Sequence, residues 1–191
     1  MYFRIDDVRR AGREVRSRTY KTADSLVQES ATFSEGRAYD IFLSHSFRDA
    51  ELILGLKVML EREGRTVYVD WISDPTLDRT KVTKDTASVL RHRMRSCRSL
   101  IYATSENASS SKWMPWELGY FDGYKSDHVS ILPLVQSDDY EWDGQEYLGL
   151  YPLVQQFDSD TLRKSYVVRG RDDLQLLSTF GDQYYTKYSL R

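Results

Sequence analysis

Short apolar runs of strand length alternate along the chain with segments whose apolar residues recur at helical spacing. The runs are rich in β-branched and aromatic residues, which are typical of buried strands. They predict five strands, in YDIFLSHS (39–46), RTVYVDW (65–71), RSLIYATS (98–105), VSILPLV (129–135) and YPLVQQF (151–157). Helical spacing predicts helices in AELILGLKVMLEREG (50–64), SVLRHRMRSC (88–97) and SKWMPWELGYFDGYK (111–125). This alternation predicts the α/β class, with a parallel sheet covered by helices on both faces.

Both ends of the chain lie outside this alternating region. The sequence predicts a helical extension in residues 1–38, a central domain in 39–158 and an extension packed on it in 159–191. DDLQLLSTFGDQYYTKY (172–188) predicts a final helix in the last of these. Apolar residues at the density of the first segment usually find a surface to bury against. We therefore expect residues 1–38 to pack on the central domain through Phe3, Ile5, Val8, Leu26, Val27 and Phe33.

Composition narrows the possible partners. Lys and Arg total 27 against 29 Asp and Glu, a net charge of -2 that gives no support to a nucleic-acid or anionic-membrane partner. A single cysteine, Cys97, excludes an intrachain disulfide, and the three scattered histidines argue against a metal site. The N-terminus lacks the apolar core of a secretory signal, and no apolar stretch is long enough to cross a membrane. A cytoplasmic protein without a metal is the simplest expectation.

The predicted sheet indicates where a ligand would bind. In a flavodoxin-like sheet of order 2-1-3-4-5, ligands bind at the carboxyl ends of strands one and three, where the strand order reverses. The segments that leave these strands, 44–49 and 103–117, are rich in small hydroxyl residues. The second segment carries Trp113 and Glu117, which are four residues apart and so lie one turn apart on one helix face. A carboxylate beside a large ring suits a sugar-bearing ligand with an aromatic base.

Three motifs in this order resemble the Toll/interleukin-1 receptor (TIR) domain: YDIFLSHS, VYVD before a long polar loop (72–86), and SKWMPWELG. The resemblance covers roughly residues 39–135. Enzymes of this family split NAD at the nicotinamide–ribose bond. The resemblance implies that Glu117 is the catalytic residue and that Trp113 lines the nicotinamide pocket. It also implies that five further residues border this pocket: Ser44, His45, Ser46, Asp70 and Trp71.

The short flanking segments are similar in layout to the TIR protein of bacterial Thoeris anti-phage systems. This resemblance implies an NAD glycohydrolase or ADP-ribosyl cyclase that uses NAD as substrate and needs no cofactor. Its product would be a cyclic or modified ADP-ribose that activates a separate effector protein. Self-association through TIR surfaces is a further expectation. The product's identity is left open, because water as acceptor gives ADP-ribose whereas a group of the same molecule gives a cyclic product.

Other functions are compatible with parts of the sequence. A TIR domain can be a non-enzymatic interaction module, in which loop 72–86 and the aromatic surface would bind other TIR domains. A plain NAD-depleting enzyme is a second alternative. Ser44-His45-Ser46 invites a Ser–His hydrolase interpretation, but adjacent strand residues point to opposite faces and no G-x-S-x-G motif is present. The absence of Walker A and G-x-G-x-x-G motifs removes support for nucleotide-triphosphatase and hydride-transfer chemistry.

Overall fold

A computed structural model describes residues 1–19, 38–74, 77, 83–138, 142, 146–158 and 163–182, with side chains omitted at 16–19. The strands are β1 (Phe3–Arg4), β2 (Tyr39–Ser44), β3 (Val67–Tyr68), β4 (Cys97–Thr104), β5 (Val129–Val135), β6 (Leu153–Asp158), β7 (Arg163–Gly170) and β8 (Asp173–Leu176). The α-helices are α1 (Ile5–Thr19), α2 (Ala50–Arg62), α3 (Asp70–Ser73), α4 (Lys84–Ser96) and α5 (Trp113–Lys125). Short 3-10 helices join several of these elements.

The strands form one mixed sheet in the order β3-β2-β4-β5-β6-β7-β8, with β1 paired to β5. Strands β2 to β6 correspond to the five predicted strands, and their neighbours are parallel in the predicted order 2-1-3-4-5. The α/β class and the flavodoxin-like sheet are therefore confirmed. Residues Ile41 and Leu43 of β2 pack in the core under α2, whereas Phe42 packs in the core under α4 and α5. Because both faces are covered, the central runs 41–43, 100–103 and 131–135 are continuously apolar.

The N-terminal segment is part of the sheet as well as a helix. Phe3 is paired with Leu134 of β5, and the backbones of Met1 and Gln156 exchange two hydrogen bonds beside β6. Helix α1 then packs on α2, and Phe3, Ile5 and Val8 are buried in the shared core. The helices approach closely at Gly55, where a side-chain Cβ would lie only 2.0 Å from the carbonyl oxygen of Val8. Leu26, Val27 and Phe33 lie outside the described residues.

The predicted C-terminal helix is wrong where the structure describes it. Strands β7 and β8 form an antiparallel hairpin on β6, and only Leu177–Thr179 form a 3-10 turn. The three apolar residues Leu174, Leu176 and Leu177 fit a helical stripe and a strand equally well in sequence. The edge of β7 decides between them, because β7 pairs with β6 and its other edge then satisfies the backbone N–H and C=O groups of β8. The hairpin thus continues the central sheet beyond residue 158.

Candidate functional site

The carboxyl ends of β2 and β4 bring the principal candidate residues together. Ser44 ends β2 and is paired in register with Tyr102 of β4. The Ser44 hydroxyl donates a hydrogen bond of 2.6 Å to Oε2 of Glu117, which reaches the strand end from α5. Neither Ser44 nor Glu117 has exposed surface. Two residues that are 73 positions apart in the chain thus form one buried contact at the predicted point of strand reversal.

Local sequence fixes where α5 begins and which side it presents to the sheet. The Ser111 hydroxyl accepts a hydrogen bond from the Met114 backbone N–H, and Pro115 lies in the first turn, where its missing N–H breaks no intrahelical bond. Trp113 and Glu117 are then one turn apart and both buried, as their spacing predicts. Trp116 is only half-buried and stands edge-on to the Trp113 ring, with 5.4 Å between ring centroids.

Neighbouring residues at the end of β2 make contacts in different directions. Ser44 contacts Glu117, whereas the next residue, His45, donates from Nδ1 to the carbonyl oxygen of Leu43 at 2.9 Å. The other ring nitrogen, Nε2, lies 3.4 Å from Oδ1 of Asp70 at the start of α3. This divergence agrees with the alternation that argued against a Ser–His nucleophile. Ser44 and His45 therefore belong to separate contacts, one with Glu117 and one with Asp70.

Two predicted pocket residues stand apart from the Ser44–Glu117 contact. Ser46 is buried, and its carbonyl oxygen accepts the Asp49 backbone N–H in the turn that leads into α2. Trp71 is half-buried and packs against the core on the face of the sheet that α1 and α2 cover. Trp113 packs in the core on the opposite face. The structure therefore gives no direct contact that joins Trp71 to Trp113 among the described residues.

A link between the two site loops was not predicted. The Asp49 carboxylate accepts hydrogen bonds from the Ser105 hydroxyl and the Asn107 amide, which lie in the loop after β4. Sequence analysis alone favours Asp49 as a helix-capping residue, because it stands just before α2. In the structure it makes no side-chain cap there. Only the proximity of the two strand ends reveals the link, so a local pattern could not have found it.

Comparison with known proteins identifies the family. No family model matches the chain. A Bacillus cereus (strain MSX-D12) protein named "Probable 3' cyclic ADP-D-ribose synthase ThsB'" is 58% identical over 130 residues, which are 68% of this chain and 67% of the relative. The chain belongs to the TIR-domain cyclic ADP-ribose synthase family. A Cytobacillus dafuensis protein, TIR2, named for an inferred cyclic ADP-D-ribose synthase activity, is 30% identical over 93 residues, 48% of this chain and 24% of that relative.

These matches confirm the predicted family and the predicted class of enzyme.

Within this TIR domain, Tyr102 is a titratable residue close to Glu117. Burial raises the pKa of the Tyr102 hydroxyl, and the nearby Tyr147 and Glu117 raise it further. Tyr102 therefore stays neutral at physiological pH and adds no second negative charge beside Glu117. Its register with Ser44 is the signal that could have placed it in the site.

The start of the TIR loop after β3 is held by a separate contact. Asp74 accepts a hydrogen bond from the Tyr68 hydroxyl and two from the Arg93 guanidinium of α4. Two parallel N–H···O bonds between guanidinium and carboxylate fix both position and orientation.

No cluster of His, Cys, Asp and Glu suited to a metal ion occurs within the described part of the chain. No described helix is long and apolar enough to cross a membrane.

Proposed function

We propose that this chain cleaves the nicotinamide–ribose bond of NAD and closes the remaining ADP-ribose into a cyclic product. Glu117 is the catalytic residue in this proposal. The observation that carries it is the buried contact between Ser44 and Glu117 at the carboxyl ends of β2 and β4. The support for the substrate class is the 58% identity to a protein whose name states a 3' cyclic ADP-D-ribose synthase activity.

Cleavage of the nicotinamide–ribose bond requires a carboxylate rather than a strong acid. Nicotinamide in NAD carries a positive charge and leaves as a neutral molecule, so it needs no proton. Positive charge instead develops on the ribose as the bond breaks. A carboxylate next to the ribose stabilises this charge and can hold the ribose hydroxyls, as in glycoside hydrolysis. Glu117 supplies that carboxylate from the switch point of the sheet.

The surroundings of Glu117 favour this role. A buried carboxylate interacts more strongly with a developing cation than an exposed one, because little water screens it. The Ser44 hydroxyl donates to one oxygen of the carboxylate and fixes its orientation without neutralising its charge. Because Glu117 has no exposed surface in the structure, the side chains that cover it have to move when NAD enters.

The position of Glu117 at the carboxyl ends of the strands also suggests which residues bind the substrate. Trp113 lies one helical turn before Glu117, where its ring can stack on nicotinamide. Ser44 and Ser46 offer hydroxyls to the ribose. Trp71 is a candidate for the far side of the pocket. NAD is the substrate, and we propose no cofactor for the reaction.

The proposal extends to the identity of the product and to the effector protein that the product activates. We assign the 3' cyclic ADP-D-ribose named for the Bacillus cereus relative, formed when a ribose hydroxyl of the same molecule traps the ribosyl cation. This product activates a separate effector protein in anti-phage defence. The catalytic unit is the TIR domain of residues 39–158, which acts in the cytoplasm and self-associates through TIR surfaces.

The deciding experiment uses purified protein and NAD, with and without extract of phage-infected cells as a trigger. Chromatography measures free nicotinamide, and mass spectrometry identifies the nucleotide product. We expect nicotinamide and a cyclic product from wild type and neither from Glu117→Gln. Linear ADP-ribose alone would indicate an NAD-depleting enzyme. Intact NAD in both conditions would overturn the proposal in favour of a TIR interaction module.

A further inference from the structure

His45 and Asp70 form a buried pair that the proposed chemistry does not use. Their side chains are 1% and 2% exposed. Ser44 contacts Glu117 on the α5 side, so strand alternation turns the His45 ring away from that carboxylate. The resemblance implies that both residues border the substrate pocket, and in the structure their side chains contact each other.

The two ring nitrogens of His45 face different groups. A carbonyl oxygen can only accept, so Nδ1 of His45 carries the hydrogen in its bond to Leu43. Nε2 faces Oδ1 of Asp70 at 3.4 Å. The imidazole thus contacts its own strand through one nitrogen and the start of α3 through the other, in a buried setting.

We propose that His45 and Asp70 act as positioning residues that hold Ser44 in place against Glu117. The inference rests on the proposed function of Glu117. Through its two nitrogens, His45 ties the end of β2 to the start of α3. Ser44 is the residue immediately before it. Small displacements of a catalytic group have large effects on rate, so a fixed strand end is a requirement of the chemistry.

Two substitutions at Asp70 separate positioning from substrate contact. In Asp70→Asn the amide donates to Nε2 of neutral His45, so the link survives without the negative charge. In Asp70→Ala the link is lost. For positioning we expect kcat of Asp70→Ala to be lower by about tenfold with KM little changed, and kcat of Asp70→Asn to fall clearly less than that of Asp70→Ala. A folded Asp70→Asn that loses as much activity as Asp70→Ala, or whose KM rises with it, overturns the proposal, because the charge then acts on NAD.

A spectroscopic measurement tests the pair without relying on turnover. In nitrogen-15 spectra of histidine-labelled wild type, the His45 signals are identified by their loss in His45→Asn. We expect Nδ1 to carry a hydrogen in wild type and in Asp70→Asn, and Asp70→Asn to shift mainly the Nε2 signal. A bare Nδ1, or an Nε2 signal that Asp70→Asn leaves unmoved, overturns the pairing. If wild type does not consume NAD, the proposed function fails while this measurement still decides the pair. If Asp70→Ala does not fold, Asp70→Asn and the spectra decide.

Discussion

Two polar clusters lie at opposite ends of the same strands, one partly buried and one buried, and they are built differently. At the amino end of β2, the Asp40 carboxylate accepts hydrogen bonds from the Thr66 backbone N–H and hydroxyl, each 2.8 Å long, and from Arg65 at 3.2 Å. At the carboxyl end, Glu117 accepts from the neutral hydroxyl of Ser44. The amino-end carboxylate is matched by positive charge, whereas Ser44 holds the Glu117 side chain through the hydrogen bond of a neutral hydroxyl.

The amino-end cluster also ties distant parts of the chain together. Arg65 is almost fully buried and donates to the Leu177 carbonyl oxygen as well as to Asp182, close to the end of the described chain. Burial by itself raises the pKa of Asp40, but the bonds from Thr66 and the charges of Arg65 and Arg98 outweigh it and leave that pKa lowered. Matched charges here stabilise the fold. The comparison therefore predicts effects on stability at one end and on chemistry at the other.

The largest effect should come from Glu117→Gln, which keeps size and helix propensity and removes the charge. We expect nicotinamide release to fall by about 10²- to 10³-fold, the range typical of removing one preorganised electrostatic group. The melting temperature should stay close to that of wild type, because the amide oxygen can still accept from Ser44. Exposed Glu51 of α2 supplies the matched control for turnover, and Glu51→Gln should leave nicotinamide release unchanged. If Glu117→Gln turned over NAD at the wild-type rate, the catalytic role assigned to the carboxyl-end cluster would be wrong.

Arg65→Met should lower stability and leave turnover almost unchanged, the reverse of what we expect for Glu117→Gln. It leaves Asp40 and Asp182 without their buried cation, and we expect the free energy of unfolding to fall by about 3 kcal/mol. Denaturant titration measures this loss, and turnover per folded molecule should hardly change. Arg98→Met is the control, since Arg98 also pairs with Asp182 but its side chain is 56% exposed. Its cost should stay below about 1 kcal/mol. Equal losses for both variants would contradict the role assigned to burial.

Gly55→Ala tests packing outside either polar cluster. The added Cβ would meet the Val8 carbonyl oxygen, so α1 and α2 have to move apart. We expect a loss of about 1 to 3 kcal/mol in the free energy of unfolding, as for other overpacked cores. Gly123→Ala on α5 has open space around its Cβ and should be neutral or slightly stabilising. Destabilisation by Gly123→Ala as large as that by Gly55→Ala would show that helix packing is not the cause.

The smallest effect should appear in the pH dependence of Asp40→Asn. Because the pKa of Asp40 is lowered from its ordinary value of 3.8, its stabilising contribution is complete above that value. The contribution is lost as pH falls through the lowered pKa. Denaturant titrations should therefore find Asp40→Asn less stable than wild type at neutral pH, with the gap closing in acid. A gap that stays constant down to the lowest pH would place the effect in packing rather than charge.

The sequence alone determined the parallel part of the fold and the helix face that carries the proposed catalytic residue. The runs in β2, β4 and β5 are apolar enough to require burial on both sides, and the helices between them impose parallel crossovers. Four-residue spacing put Trp113 and Glu117 on one side of α5, and strand alternation separated Ser44 from His45. These are properties of neighbouring residues, which backbone geometry fixes wherever the segment lies.

The tertiary structure alone decided which distant groups meet. The segment 173–176 became a strand because β7, itself paired with β6, offered it a free edge, although its leucines also fit a helix. The same holds for the contacts of Ser44 with Glu117 and of His45 with Asp70, which join elements that only sheet packing brings together. Periodicity describes a segment's own faces. The partner of a buried polar group depends on the rest of the chain, because desolvation makes each such group take whichever donor or acceptor the fold places beside it.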